Sequence, residues 1–95
     1  DTIWGEEGDD HIHGNRGNDV IYGGPGNDDI TGDQGSDVLF GGAGQDYLYG
    51  RFGNDFLFGQ NGNDTLLCGA GTDFANGGAG IDSSSANCET QVSIP

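Results

Sequence analysis

The chain is organised by a nine-residue period that runs from Gly5 to Ser85 without an insertion. Each row opens with a glycine-rich stretch, carries aspartate at its sixth position and ends in three residues with an apolar one in the middle. The fourth position is glycine in every row. The rows are GEEGDDHIH, GNRGNDVIY, GGPGNDDIT, GDQGSDVLF, GGAGQDYLY, GRFGNDFLF, GQNGNDTLL, CGAGTDFAN and GGAGIDSSS. A fixed period of this kind indicates a repeat architecture in which similar units stack on one another.

Two positions of the row carry most of the information. The eighth position is isoleucine or leucine from Ile12 to Leu66 and fades at Ala75 and Ser84. Positions seven to nine therefore predict a three-residue strand with one inward side chain, and the glycines predict sharp turns between strands. The sixth position is aspartate in all nine rows, at Asp10, Asp19, Asp28, Asp37, Asp46, Asp55, Asp64, Asp73 and Asp82.

These rows resemble the G-G-x-G-x-D-x-U-x repeat of the RTX (hemolysin-type) calcium-binding family, most clearly at residues 41–49, GGAGQDYLY. The resemblance covers residues 1–85. It implies an all-β fold, a right-handed parallel β-roll (β-solenoid) in which two rows form one coil. The apolar eighth positions would face inward between two parallel sheets, and calcium ions would lie in the turns.

The resemblance also implies a ligand set. In the family each ion sits between two turns that are stacked one coil apart. The lower turn gives the carbonyls of positions two and four, the upper turn those of positions one and three, and both give their aspartates. One site would then use Glu6, Gly8 and Asp10 with Gly23, Pro25 and Asp28. The further backbone ligands implied in this way are Gly24, Gly26, Gly41, Ala43, Gly42, Gly44, Gly59, Asn61, Asn15, Gly17, Gly32 and Gln34.

The row count predicts about seven Ca²⁺ ions, whose charge would balance the formal net charge of −14. Calcium suits these turns because it takes several oxygen ligands and accepts both carboxylates and carbonyls. An alternative is that the aspartates only stabilise turns, but one phase kept through nine rows favours ligands. Cys68 at a first position and Arg51 beside a turn depart from the pattern.

The composition points to a cation as a requirement for folding. The chain has 21 glycines, 16 acidic residues and only two basic ones among its 95 residues. A chain this acidic and this poor in apolar residues is typical of disorder unless its charge is neutralised. The same charge disfavours nucleic acid and anionic membranes as partners, and no apolar run is long enough to span a bilayer.

The ends of the chain depart from the repeat. Residues 1–4 occupy positions six to nine of a partial row, residues 5–85 form nine full rows, and residues 86–95 lack the pattern. We expect 86–95 to be a C-terminal cap that covers the end of the stack. Cys68 and Cys88 fit an oxidising compartment and predict a disulfide that fixes the cap, with two unpaired buried cysteines as the alternative. We therefore expect a secreted, extracellular module, the C-terminal part of a larger protein.

Reading alternate rows together separates two outer faces. One face collects aromatic and branched side chains at positions nine and seven, whereas the other is far more polar. The apolar face comprises Trp4, Tyr22, Phe40, Phe58, Val20, Val38, Phe56 and Phe74. This face predicts packing against a second copy or an upstream domain, and the alternative is that it only reinforces strand stacking.

Other functions find less support. His11 and His13 share an outer face, but no third ligand accompanies them, which favours a solvated strand edge over a transition-metal site. No nucleophile–base or paired-carboxylate arrangement stands apart from the repeat, so we do not expect an enzyme. An ice-binding adhesin would carry threonine at position three, where this chain has none. The expected function is calcium binding that drives folding and stabilises a secreted module. The alternative is a secretion, stabilising or adhesive module of a larger toxin, enzyme or adhesin.

Overall fold

The chain folds as an all-β parallel solenoid, which confirms the predicted β-roll. The computed structural model describes residues 1–78 and the backbone of two later strands, residues 83–84 and 90–92. Every strand is short, with two to five residues, because the turn of the next row follows at once. The strands are β1 (Thr2–Trp4), β2 (His11–His13), β3 (Val20–Tyr22), β4 (Asp29–Thr31), β5 (Val38–Phe40), β6 (Tyr47–Arg51), β7 (Phe56–Phe58), β8 (Thr65–Gly69), β9 (Phe74–Asn76), β10 (Ser83–Ser84) and β11 (Thr90–Val92).

The strands alternate between two parallel sheets. The first sheet has the order β1-β3-β5-β7-β9-β11, and the second has the order β2-β4-β6-β8-β10. Ile3 lies opposite Ile21 and Ile12 lies opposite Ile30, so neighbouring strands are eighteen residues apart. Two rows therefore make one coil, as predicted. The Cα atoms fill a slab of 27 × 26 × 13 Å.

The eighth positions form the core between the sheets. Ile21, Ile30, Leu39, Leu48, Leu57, Leu66 and Ala75 are completely buried, Ile12 is nearly so, and Ile3 packs against the same cluster. A three-residue strand offers one inward side chain, so each sheet contributes a single stack of branched residues. The core is thus one side chain wide in each sheet. The remaining contacts between strands come from the parallel pairing of successive coils.

The glycines of the row serve two different needs. At the fourth position the backbone is left-handed, with φ of +117° at Gly26, for which glycine is favoured. At the first position the need is space. A Cβ on Gly41 would lie 2.7 Å from Oδ2 of Asp46 and 2.9 Å from the carbonyl oxygen of Gly59.

The register changes at the C-terminal end. Ser83 lies opposite Thr65 at the usual spacing of eighteen, but Thr90 lies opposite Phe74, sixteen residues away. Two residues are therefore missing from the period between β10 and β11. The boundary at residues 85 and 86 and the role of 86–95 as a cap stay predictions. Asp82 and Cys88, both named above, lie outside the described residues.

Candidate metal sites in the turns

The turns form two stacks, one along each side of the slab. Edge one contains residues 5–10, 23–28, 41–46 and 59–64, which lead from the first sheet to the second. Edge two contains residues 14–19, 32–37, 50–55 and 68–73, which lead back. Turns on one edge are eighteen residues apart, so the sixth positions of each edge form a column of aspartates.

From Asp28 to Asp73, each carboxylate in these columns accepts a hydrogen bond from the backbone of the coil below it. The backbone N–H of Asp10 donates to Oδ1 of Asp28 at 2.9 Å. The same link joins Asp19 to Asp37, Asp28 to Asp46, Asp37 to Asp55, Asp46 to Asp64 and Asp55 to Asp73, at 2.7–2.9 Å. The carboxylates from Asp19 to Asp73 are buried, and that of Asp10 is partly buried. One oxygen of each linked carboxylate is therefore committed to backbone hydrogen bonding.

The other oxygen has no such partner. Within residues 1–78, the Oδ2 atoms of Asp10, Asp19, Asp28, Asp37, Asp46 and Asp55 are buried and accept no hydrogen bond. A buried carboxylate oxygen without a donor is costly to the folded state, and here the cost recurs in six successive rows. A hard cation beside Oδ2 would remove it, because such a cation takes carboxylate oxygens as ligands. The donor set therefore fits Ca²⁺.

The same burial shows in the acid–base behaviour of the column. Burial raises the pKa of Asp28 and of Asp37, and it raises the pKa of Asp46 and of Asp55 to about 7. The backbone hydrogen bond lowers each pKa, but it does not outweigh burial. Carboxylates one coil away, such as Asp28 and Asp64 on either side of Asp46, raise it further. The column thus resists full ionisation in the absence of a cation.

Backbone carbonyls converge on the gap between successive turns. Within edge one the carbonyl oxygen of Glu6 lies 2.6 Å from the Cβ position of Gly24, and that of Gly8 faces Gly26. From the turn above, the carbonyl oxygen of Gly23 lies 2.8 Å from the Cβ position of Gly5. These are carbonyls of positions two and four below and of position one above, three of the four positions named by the family pattern.

The fourth carbonyl position also faces the neighbouring turn. The carbonyl oxygen of Ala43, at position three, accepts a hydrogen bond from the backbone N–H of Gly26 at 3.2 Å. On edge two the carbonyl oxygen of Asn15, at position two of the lower turn, accepts from the N–H of Gln34 at 3.1 Å. A carbonyl oxygen has two lone pairs, so one hydrogen bond leaves capacity for a second interaction. The assignment of individual backbone ligands stays a prediction.

Side chains alone do not make a metal site in the described residues. Within that part of the chain, no three histidine, cysteine, aspartate or glutamate side chains gather as a metal-binding group. The histidines pair instead with acids: His11 Nδ1 lies 3.6 Å from Asp29 Oδ2, and His13 Nδ1 lies 3.6 Å from Asp33 Oδ2.

The fifth position, which the repeat pattern leaves unspecified, forms a second column on each edge. The Oδ1 atom of Asn27 accepts from the backbone N–H of Gln45, one coil above, at 2.8 Å. Asp9, Asn18 and Asn54 accept in the same way at 2.8–2.9 Å, and Ser36 Oγ does so at 3.4 Å. The signal was present in the sequence, because the fifth positions from Asp9 to Thr72 are all polar and mostly short.

The apolar face lies on the first sheet. Trp4 stacks on Tyr22 with ring centroids 4.1 Å apart, and Tyr22, Phe40 and Phe58 continue the stack at 4.9 and 5.0 Å. Phe74 meets both Phe56 and Phe58 at 5.9 Å with tilted rings. Trp4 and Phe56 remain about half exposed or more, whereas Val20 and Val38 are partly buried. The rings therefore stack along the sheet and also keep a solvent-facing surface.

Cys68 takes the place of a first-position glycine. Its side chain is completely buried and belongs to the core cluster. Its predicted partner, Cys88, is not among the described residues, so the disulfide stays a prediction. Arg51, the other departure, has φ of +70° and lies beside Asp33, with Nε 3.5 Å from Oδ1.

The fold and the turns together define a parallel β-solenoid whose buried carboxylates fit a bound cation. A family model for the RTX calcium-binding nonapeptide repeat matches the chain in four copies, over residues 1–30, 22–57, 31–66 and 50–83. The chain belongs to this family, and the predicted recognition is confirmed. No curated protein and no solved structure gives a match.

Membership settles the coarse function. RTX repeats bind calcium, so calcium ions are partners of this chain, and the family is a structural calcium-binding module and not a catalytic one. In the part of the chain that the structure describes, no helix is long and apolar enough to cross a membrane.

Proposed function

We propose that calcium binds in both stacks of turns and drives the folding of the module. This proposal rests on the set of buried aspartate Oδ2 atoms that accept no hydrogen bond within residues 1–78. Folding buries these oxygen atoms without a hydrogen-bond donor, and a bound cation would supply the missing partner. Metal binding and folding are then one equilibrium, since the binding free energy stabilises only the folded chain.

The proposed sites are those that the family pattern gives. Each uses the sixth-position aspartates of two stacked turns together with carbonyls of positions two and four below and one and three above. With the ninth row, residues 77–82, counted as a fifth turn of edge one, four intervals on edge one and three on edge two give about seven ions. An interior aspartate such as Asp46 serves the ion below it and the ion above it, because Asp28 and Asp64 lie one coil away on either side.

A titration of calcium into the metal-free protein tests this proposal. The far-ultraviolet circular dichroism should show a largely unfolded chain in chelator and a cooperative gain of β structure as calcium is added. Calorimetry on the same sample should count about seven ions. Magnesium should replace calcium poorly, because it holds its waters and demands a tighter octahedron. A native-like spectrum in chelator would contradict the proposal.

A pair of aspartate variants tests the stacked arrangement. Asp46→Ala should weaken two sites, whereas Asp82→Ala, at the end of its stack, should weaken one. Counting bound calcium by equilibrium dialysis distinguishes the two variants. Equal losses from both would rule out sites shared between stacked turns.

We place the module outside the cell, as part of a larger secreted protein. An acidic chain that folds only with calcium stays unfolded where calcium is scarce and condenses where it is abundant. Residues 1–85 then form the roll and residues 86–95 the cap, held by a Cys68–Cys88 disulfide. Mass spectrometry of protein folded under oxidising conditions should find no free thiol. Two free thiols would remove the disulfide from the proposal.

A second candidate function is association through the apolar face, either with a second copy or with an upstream domain. It is supported by the exposure of Trp4 (63%) and Phe56 (48%) beside a continuous ring stack. Replacing Phe40 and Phe58 with serine should leave the calcium stoichiometry intact and abolish the association. If the calcium-loaded chain sediments as a monomer at high concentration and binds no neighbouring domain, the rings only stack strands.

A further inference from the structure

A cavity of about 700 Å³ lies on edge two. Apart from Asp1 and Gly14, it is lined by Asn15, Arg16, Asp33, Gln34, Arg51 and Phe52. These six residues are the second and third positions of three successive turns. A volume of this size is in the range of small-molecule sites. The cavity lies outside the sixth-position columns, whose carboxylates take no part in its lining.

The cavity contains both basic side chains of the chain, beside the carboxylates of Asp1 and Asp33. Arg16 and Arg51 are the only lysine or arginine residues in the sequence, and both line it. Arg16 is exposed and makes no ion pair with any residue of the described part of the chain. Arg51 meets Asp33 at 3.5 Å with both side chains partly solvated, a contact that contributes little.

The two edges differ in charge. The four turns of edge one carry seven acids and no base, which gives −7. The four turns of edge two carry five acids and two arginines, which gives −3. Three ions in the three intervals between these four turns add +6 to each edge. The net charge of the four turns is then −1 on edge one and +3 on edge two, so calcium reverses the sign of the net charge on edge two alone.

The lining of the cavity favours a particular kind of ligand. An arginine guanidinium binds a carboxylate with good geometry. The amides of Asn15 and Gln34 both donate and accept hydrogen bonds, as sugar hydroxyls require. Phe52 is 59% exposed beside Arg51, so its ring offers a flat apolar surface to another ring.

We propose that the edge-two cavity binds a small hydroxylated ring that bears a carboxylate, of the sugar-acid class, and does so only when calcium fills the turns. Arg16 holds the carboxylate, Arg51 supports it and Phe52 packs on the ring. The inference rests on the calcium binding proposed above, since calcium supplies the positive charge that lets an acidic chain attract an anion.

Titration of glucuronate into the calcium-loaded chain, followed by calorimetry, tests the site. Glucose is the neutral control ligand, and inorganic sulfate separates a sugar acid from any small oxyanion. We expect saturable glucuronate binding in the millimolar range or tighter, with glucose and sulfate each at least about tenfold weaker. Calcium stoichiometry is measured on the same sample before each titration.

Three variants locate the site. Arg16→Gln and Phe52→Ala should each weaken glucuronate binding, the former about tenfold or more, without changing the number of bound calcium ions. Glu7→Gln is the matched control, because Glu7 is the third position of an edge-one turn as Arg16 is of an edge-two turn. It removes a charge away from the cavity and should not weaken glucuronate binding.

The outcomes separate the two proposals. If calcium binds as proposed but glucuronate binds no better than glucose, or equally well to Arg16→Gln, the cavity is not a sugar-acid site. Sulfate that binds as tightly as glucuronate also overturns it, because the ring then contributes nothing. Glucuronate binding that persists in chelator overturns the dependence on calcium. A chain that binds no calcium removes both the proposed function and this site.

Discussion

Positions five and six of each row are neighbours in sequence, yet they build two unlike columns. Asn27 accepts a hydrogen bond from the backbone of the coil above, whereas Asp28 accepts one from the coil below. Asn27 is exposed, so its remaining polar atoms reach water. Asp28 is buried, and its Oδ2 has no hydrogen-bond donor. The fifth-position side chains (column five) find their hydrogen-bond partners without a metal, whereas the sixth-position carboxylates (column six) do not. We therefore assign the proposed dependence on calcium to column six.

Replacing Asp28 and Asn27 in turn should give the largest contrast. Asp28→Ala removes a carboxylate shared by two proposed sites and should destabilise the calcium-loaded chain by roughly 3–5 kcal/mol, the cost of breaking a buried charge interaction. Asn27→Ala removes one exposed hydrogen bond and should cost about 1 kcal/mol. Denaturant unfolding at saturating calcium measures both. Similar costs would show that the two columns do not differ in role.

A methyl group at the first position should reach column six without touching column five. In Gly41→Ala the new Cβ would fall 2.7 Å from Oδ2 of Asp46, so the carboxylate must move. We expect a loss of about 1–3 kcal/mol together with weaker calcium binding at the neighbouring turns. Asn27→Ala is the control, because Asn27 is exposed, lies at the fifth position and belongs to no proposed calcium site. It should leave the calcium stoichiometry unchanged.

The stability of the metal-free chain should fall as pH rises, because the buried carboxylates of column six ionise. Burial raises the pKa of Asp46 and Asp55 to about 7 in the folded chain, above their ordinary value of 3.8. A raised folded-state pKa gives stability that is fully present below the unfolded pKa and is lost as pH rises through the folded one. Metal-free protein should therefore hold more β structure near pH 4 than above pH 7, as circular dichroism can measure.

The amide variant of Asp46 checks the same idea without a change of pH. Asp46→Asn keeps the shape of the side chain and removes its charge, so it should favour folding of the metal-free chain at neutral pH and disfavour folding with calcium. A variant that is less stable than the parent under both conditions would contradict the role assigned to burial.

Column five offers the smallest expected change. Ser36 Oγ accepts from the N–H of Asn54 at 3.4 Å, whereas Asn18 and Asn27 accept at 2.8 Å. Ser36→Asn should shorten this link and stabilise the chain by a few tenths of a kcal/mol up to about 1. Thermal unfolding of calcium-loaded protein gives the comparison, with Ser36→Ala as the variant that should lose a little stability.

The sequence predicts the fold well because one short rule repeats. The middle of each strand from Ile12 to Leu66 is apolar, and each is buried as expected. The spacing of eighteen between paired strands follows from two rows per coil. An apolar face is separated from a polar one because alternate rows contribute their strands to different sheets. Because the period is strict, the structure predicted for one row applies to the others, and a nine-residue pattern is enough to predict the fold.

The direction of hydrogen bonds was not readable from the same rows. Nothing in the letters of Asn27 and Asp28 says that one side chain serves the coil above and the other the coil below. The different reasons for glycine at positions one and four are likewise contacts and dihedrals that appear only in three dimensions. The cavity on edge two joins residues from three turns, and the shift to a spacing of sixteen at β11 has no marker in a sequence that has already left the pattern.

The eighteen-residue register also fixes how such a chain can grow. Inserting eighteen residues adds one coil and leaves every later residue on the side it occupied before. Inserting nine moves each later strand to the opposite sheet, so Phe40 and Phe58 would exchange sides with Tyr49 and the ring stack from Trp4 and Tyr22 would be cut. Adding two rows therefore preserves both outer faces, whereas adding one row would keep an aspartate in every turn but exchange the two faces beyond the insertion.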